Sequence, residues 1–158
     1  MATADELLGN KLFRDISALN MEKILLITEE VTFVPGTRIF REGENADSLY
    51  VIQEGILDLN FQFKIGGVES ELTIDSKGKG DSVGWSAVVS PHRYTLTGVC
   101  RKSIKALSMN GDSLLNICRD DRDFGFLLMR NIAGIVGTRM KQLQTMFIQE
   151  VQRGINMP

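Results

Sequence analysis

Between Glu30 and Ser108 apolar and polar residues alternate in short runs, and glycines stand at the joins. A period of two demands extended strands, because successive side chains on a strand point to opposite faces. "VTFVPG", "TRIFRE", "SLYVIQEG", "ILDLNFQFKIG", "SELTIDS", "YTLTGVC" and "KSIKALS" each read as one strand. The stretches "PG", "GENAD", "EG", "IGG", "KGKGD" and "SPHR" read as the turns between them. In "ILDLNFQFKI" the residues Leu57, Leu59, Phe61 and Phe63 share one face, with Asp58, Asn60, Gln62 and Lys64 on the other. That pattern predicts a sheet with one buried and one wet face, hence antiparallel pairing. About seven or eight strands with no helix among them predict a mainly β fold with flanking helices, an antiparallel jelly-roll barrel.

The flanks change period. Leu8, Leu12, Phe13, Ile16, Leu19, Ile24, Leu25 and Ile27 recur at helical spacing across residues 5–28. Gly9 and Asn10 predict a break there, and Ser17 an N-cap for a helix starting near Ala18. Asn110 is placed to cap a short helix over "GDSLLNIC". From Asp120 to Gln152 there is no proline, and Asp120, Asp121 and Asp123 suit the positive end of a helix dipole. Such a helix is about 45 Å long at 1.5 Å per residue, more than one domain needs to cover its core. The expected layout is a single domain over 1–158, with N-terminal helices at 5–28, a jelly roll at 30–108 and C-terminal helices at 110–153.

Along that last helix Met129, Ile132, Val136, Leu143, Met146 and Glu150 approximate a seven-residue repeat, interrupted by Arg139. Phe124 to Ile132 is expected to pack on the β domain. Past Val136 little of the domain is left to pack against. There Val136, Met140, Leu143 and Phe147 are expected to face a partner helix, most simply that of a second copy.

Composition removes several function classes. Apolar residues at 43% and charged residues at 24% match a folded chain rather than a disordered one. A formal net charge of −2 is wrong for a general nucleic-acid binder, which must neutralise phosphates. No apolar run approaches the length of a membrane span, and the acidic start "MATADELLGNKLFRD" has no signal-peptide pattern. A cytoplasmic protein without membrane contact is expected. Cys100 and Cys118 sit in apolar stretches with no metal-ligand spacing, which favours buried, inert thiols. One histidine and two such cysteines give almost nothing to build a nucleophile–base pair or a metal site from, so neither an enzyme nor a metal centre is expected.

With these elements in order, "FVPGTRIFREGENADSLYVIQEGILDL" resembles the cyclic nucleotide-binding domain family. Gly36, Ile39, Phe40, Glu42, Gly43, Ser48, Tyr50, Ile52 and Gly55 stand in the family's places. "GKGDSVGW", through Gly80, Asp81 and Gly84, is similar to the approach to its phosphate-binding cassette. The resemblance implies a regulatory module that binds a small ligand at residues 84–93. It implies a short helix opened by Ser86 and Ala87 whose N–H groups face a phosphate, an arginine beyond it, and a glutamate after the glycine for the ribose hydroxyl. Here the glutamate position is Trp85, which cannot accept that bond, so the cassette is altered. The family's DNA-reading members continue past this point into a second domain; only "GINMP" follows Arg153, so no direct DNA binding is expected.

The cation of the cassette has two candidates. Alignment without a gap puts His92 in the arginine's place, and one extra loop residue puts Arg93 there. Strand parity groups His92, Tyr94 and Leu96 on the more apolar face and Arg93 and Thr95 on the other, which favours His92 inward unless a bulge intervenes. Trp85 reads either as a packing anchor with its indole N–H on a carbonyl or as a platform for an aromatic base. Two functions follow. One is a non-enzymatic sensor of a cyclic nucleotide or related small anion, with Gly84, Trp85, Ser86, Ala87, His92, Arg93, Tyr94 and Thr95 at its site. The other is an interaction and dimerisation module, with a homodimer or another protein as partner, whose empty pocket is plugged by Trp85.

Overall fold

The structure, a computed structural model, describes residues 2–156. Six antiparallel strands form one curled sheet of jelly-roll type, in the order β1 (Thr28–Phe33), β6 (Thr97–Asn110), β3 (Ser48–Ile65) and β4 (Val68–Lys77). The short β2 (Arg38–Phe40) also pairs with β6, and β5 (Ser82–Val83) with β3. Helices α1 (Ala4–Leu7) and α2 (Ala18–Leu26) precede the sheet, and α3 (Gly111–Asp120) and α4 (Arg122–Ile155) follow it. No helix is long and apolar enough to cross a membrane among the described residues.

The helix ends obey their cap residues. The Ser17 hydroxyl accepts from the Asn20 N–H at 3.2 Å, and Asn110 Oδ1 from the Ser113 N–H at 3.0 Å. Asp121 Oδ1 accepts from the Phe124 N–H at 3.1 Å and starts α4, while Asn20 Nδ2 donates to its other oxygen and ties α2 to that start. The first turns of α4 bury Phe124, Leu128 and Ile132 in the core, where α4 lies beside α3 and the Lys11–Phe13 turn. Each such side chain contributes about 1.5–3 kcal/mol of transfer free energy.

Two expectations about the strands are corrected. Glu54–Gly55 is no turn: β3 runs through it as one strand of 18 residues, and the register shifts on either side of Glu54 mark a bulge. "YTLTGVC" and "KSIKALS" likewise contribute to a single β6, so the sheet has six strands instead of seven or eight. A glycine at positive φ looks the same in a sequence whether the chain reverses there or merely bends.

The second correction concerns the apolar face of β3. Leu57 and Leu59 are buried, but Phe61 and Phe63 are exposed to 42% and 37%. Pairing of β3 with β6 ends at Asn60↔Thr97, and beyond it β3 and β4 continue as a two-stranded hairpin. Alternation marked the face of Leu57 and Leu59, but Asn60, expected on the wet face, is buried at a register shift and bonded to Thr73 and Glu71.

Cys100 is buried and Cys118 half-buried, and both are free. Burial pushes both thiols up, away from the reactive thiolate. Among the described residues no group of three or more His, Cys, Asp or Glu could hold a metal ion.

Candidate functional site

The cassette starts where β5 ends. Gly84 takes φ 81°, and a Cβ there would stand 2.8 Å from the Ser48 carbonyl oxygen, so the corner admits only glycine without strain. Trp85–Ala87 then form one 3₁₀ turn, closed by the Ala87 N–H on the Gly84 carbonyl at 3.0 Å. The turn starts at Trp85, one residue before the expected Ser86, and the Ala87 N–H is already bonded within it. Ser86 and Ala87 are buried, while Trp85 is half-buried and packs against the core. The indole N–H has no partner among the described residues, so Trp85 is an anchor without the expected carbonyl bond.

Across from this turn, Tyr94 stacks on Phe40 with ring centroids 4.4 Å apart. Its hydroxyl donates to the Ser48 carbonyl at 2.8 Å and accepts from the Ser48 N–H at 3.3 Å. Burial pushes this phenol up to about 12. Phe40, Leu59, Gly84, Trp85, Ser86, Tyr94, Thr95 and Leu96 enclose a cavity of about 20 Å³. That is room for about one water molecule, far from the several hundred Å³ of a small-molecule pocket.

Neither candidate cation lines this cavity. His92 has φ 57°, and its Nδ1–H donates to the carbonyls of Ser86 and Ala87, both at 3.2 Å. It closes the loop back on the 3₁₀ turn instead of facing a ligand. Arg93 is exposed and donates through Nη1 to the Gly43 carbonyl at 2.8 Å, beside an isolated bridge to Asn45. Parity failed for a physical reason: β6 begins only at Thr97, and a residue at positive φ ahead of it breaks the alternation. Tyr94 and Leu96, nearer the strand, do point inward as parity required.

The cation that does reach the cavity wall is Arg139, from the middle of α4. Its side chain is only 14% exposed, and burial pulls the guanidinium down, opposed by Asp75 of β4 at 3.8 Å. Burial alone would raise the Asp75 carboxyl, but the hydrogen bond and charge of Lys77, 2.9 Å away, and then Arg139 hold it below the usual range. The sequence carried one sign of this: Arg139 is the residue that interrupts the apolar stripe of α4.

A second contact joins the cassette to the helices. A Cβ on Gly111, the first residue of α3, would lie 2.2 Å from the Ala87 carbonyl oxygen. The 3₁₀ turn thus rests on the start of α3. In turn α3 meets α4 where a Cβ on Gly125 would lie 3.0 Å from the Cys118 carbonyl. Of the α4 stripe, Val136 and Leu143 are half-buried against the chain's own core, which corrects the expectation that little of the domain is left past Val136, while Met140 and Phe147 are exposed to 58% and 69%.

Comparison with known proteins agrees with this architecture. No curated protein sequence matches the chain. A protein of Geobacter metallireducens GS-15, named as a candidate cyclic nucleotide-binding protein, is 28% identical over 89% of this chain and 99% of its own, with a TM-score of 0.75. A cyclic nucleotide-binding domain from Methylobacillus flagellatus has a TM-score of 0.80 at 14% identity, over 93% of this chain and 83% of its own. The catabolite activator protein of Thermus thermophilus has a TM-score of 0.69 at 18% identity, over 89% of this chain and 63% of its own. The sequence itself matches the family described as the cyclic nucleotide-binding domain over residues 30–121, more than half its length. The glycine corner, the 3₁₀ turn on a jelly roll and that match together place this chain in the cyclic nucleotide-binding domain family.

Proposed function

We propose that the chain is a non-enzymatic regulatory sensor that takes a nucleotide-like or other small anionic ligand at the 84–93 cassette and signals through α4. One observation carries this reading: the cassette cavity has a residue of α4, Arg139, in its wall. A ligand larger than water has to move part of this lining, and moving Arg139 would couple occupancy of the cassette to the position of α4. Nothing near the cassette favours catalysis. Its one histidine is held on two carbonyl oxygens, and burial has raised both thiols.

Trp85 makes cyclic AMP a poor ligand, because the acceptor for the ribose hydroxyl is missing. Calorimetry with a panel of cyclic nucleotides tests this. The Trp85→Glu variant is expected to bind cyclic AMP more tightly than the parent by about one to two decades, since a charged hydrogen bond is worth roughly 1.5–3 kcal/mol. Sub-micromolar binding by the parent, or no gain in the variant, would contradict the role given to this position.

The volume of about 20 Å³ favours a second reading, an interaction module whose cavity is plugged by its own side chains. Val136, Met140, Leu143 and Phe147 lie on one face of α4, and the exposed ones fit a second copy of the helix or another protein. Sedimentation is expected to show a dimer for the parent and a monomer for Phe147→Asp, which places a charge on the exposed apolar face. A monomeric parent would remove this reading.

A further inference from the structure

A much larger cavity than that of the cassette lies outside it. It is a groove of about 660 Å³ between the N-terminal segment, the 80–82 corner and the face of α4 from Arg130 to Gln142. Its size is that of a small-molecule site. Its walls are held in place by contacts between distant parts of the chain. Asn10 Nδ2 donates to the Gly80 carbonyl at 2.7 Å. Asn131 Nδ2 donates to the carbonyls of Leu12 and Arg14 at 3.0 and 2.9 Å. Arg130 pairs with Asp15 at 2.8 Å. The groove is therefore preformed, and a ligand would not have to order it.

Its charge runs against that of the whole chain, whose formal net charge is −2. Lys11 and Arg14 stand on one wall, Arg130 and Arg139 on the other, and Lys77 between them. The only carboxylates in the lining are Asp15 and Asp81. Asp15 is already paired with Arg130, and Asp81 accepts from the Gly78 N–H at 2.9 Å. The side-chain cations of Lys11 and Arg14 have no partner among the described residues. The floor is different: Gly134 presents bare helix backbone, with nothing within 4 Å of where a Cβ would stand, and Ile135 beside it is half-buried. Cations on two walls suit an extended anion, and an open, partly apolar floor suits a flat organic group.

We propose that this groove is a second binding site, for a nucleoside di- or triphosphate. Phosphates would bridge Lys11 and Arg14 to Arg130 and Arg139, and the nucleoside would lie over Gly134 and Ile135. A bare phosphate would leave most of the volume to water. Arg139 and Ser82 line both this groove and the cassette cavity. An anion in the groove competes with Asp75 for Arg139, so its arrival is felt at the cassette wall. The site goes beyond the cassette reading and does not depend on it.

The test is calorimetry on the full chain with ATP, inorganic triphosphate and adenosine as probes, at low and high salt. ATP is expected to bind at micromolar concentration, more tightly at low salt. Inorganic triphosphate is expected to bind more weakly and adenosine not detectably. Two variants act by different routes. Lys11→Glu with Arg14→Glu reverses charge on one exposed wall, and Gly134→Phe fills the floor at a helical position with open space above it. Each is expected to weaken ATP binding about tenfold or more; circular dichroism confirms that each variant is folded. Failure of ATP to bind at millimolar concentration, equal affinity in parent and both variants, or equal affinity for triphosphate and ATP would each overturn the proposal. A single-stranded oligonucleotide that outcompetes ATP would also overturn it, in favour of a nucleic-acid surface. Loss of ATP binding in Trp85→Glu alone would assign the nucleotide to the cassette instead.

Discussion

Gly55→Ala is expected to destabilise the protein by about 3 kcal/mol, from a left-handed backbone cost of roughly 1–2 kcal/mol and an overpacking cost of similar size. Gly55 has φ 94° in the bulge of β3. A Cβ there would lie 2.2 Å from the Ser103 carbonyl oxygen and 2.8 Å from that of Lys102. Both atoms are backbone of β6, so no side chain can turn aside to make room. The bulge bends β3 between its pairing with the end of β6 near Asn110 and its pairing with the start near Thr97. Urea denaturation checks the value, and an unfolding free energy within about 0.5 kcal/mol of the parent would show that the bend does not need glycine.

Gly111→Ala is expected to cost about 2 kcal/mol and to act on the cassette as well as on stability. The φ of Gly111 is not positive, and alanine is the better helix former, so local propensity favours the change. Space opposes it. The new Cβ would meet the Ala87 carbonyl oxygen at 2.2 Å and the carbonyl carbon at 2.8 Å. Either α3 retreats or the 3₁₀ turn is pushed toward the cavity of about 20 Å³ behind it. A variant as stable as the parent would mean that α3 and the cassette are not in the contact described.

These two glycines show what could be read in the chain and what could not. Ser17, Asn110 and Asp121 announce their helices because capping is local chemistry, settled within three residues. Leu57 and Leu59 announce a buried face because strand alternation is equally local. The family's run around Gly36 to Gly55 was legible for the same reason. Gly55 as a bulge was not, since a bend and a reversal both ask for positive φ and only the partner strand distinguishes them. Phe61 and Phe63 misled because alternation identifies a face without saying where its cover ends. His92 misled because parity presumes a strand, and the strand starts at Thr97. Arg139 reaches the cassette from more than forty residues downstream, beside Asp75 of another strand. No short-range pattern encodes such a contact; the break in the α4 stripe was its only trace.

The central claim is that the cassette and the C-terminal helices move as one body, through Gly111 on Ala87 and Arg139 in the cavity wall. Amide hydrogen exchange on Gly111→Ala measures this without any ligand. The account predicts that residues 85–89 and the first turns of α4 lose protection together, while the paired strands β1 and β6 keep theirs. Loss of protection confined to α3 and α4, with 85–89 exchanging as in the parent, would contradict it.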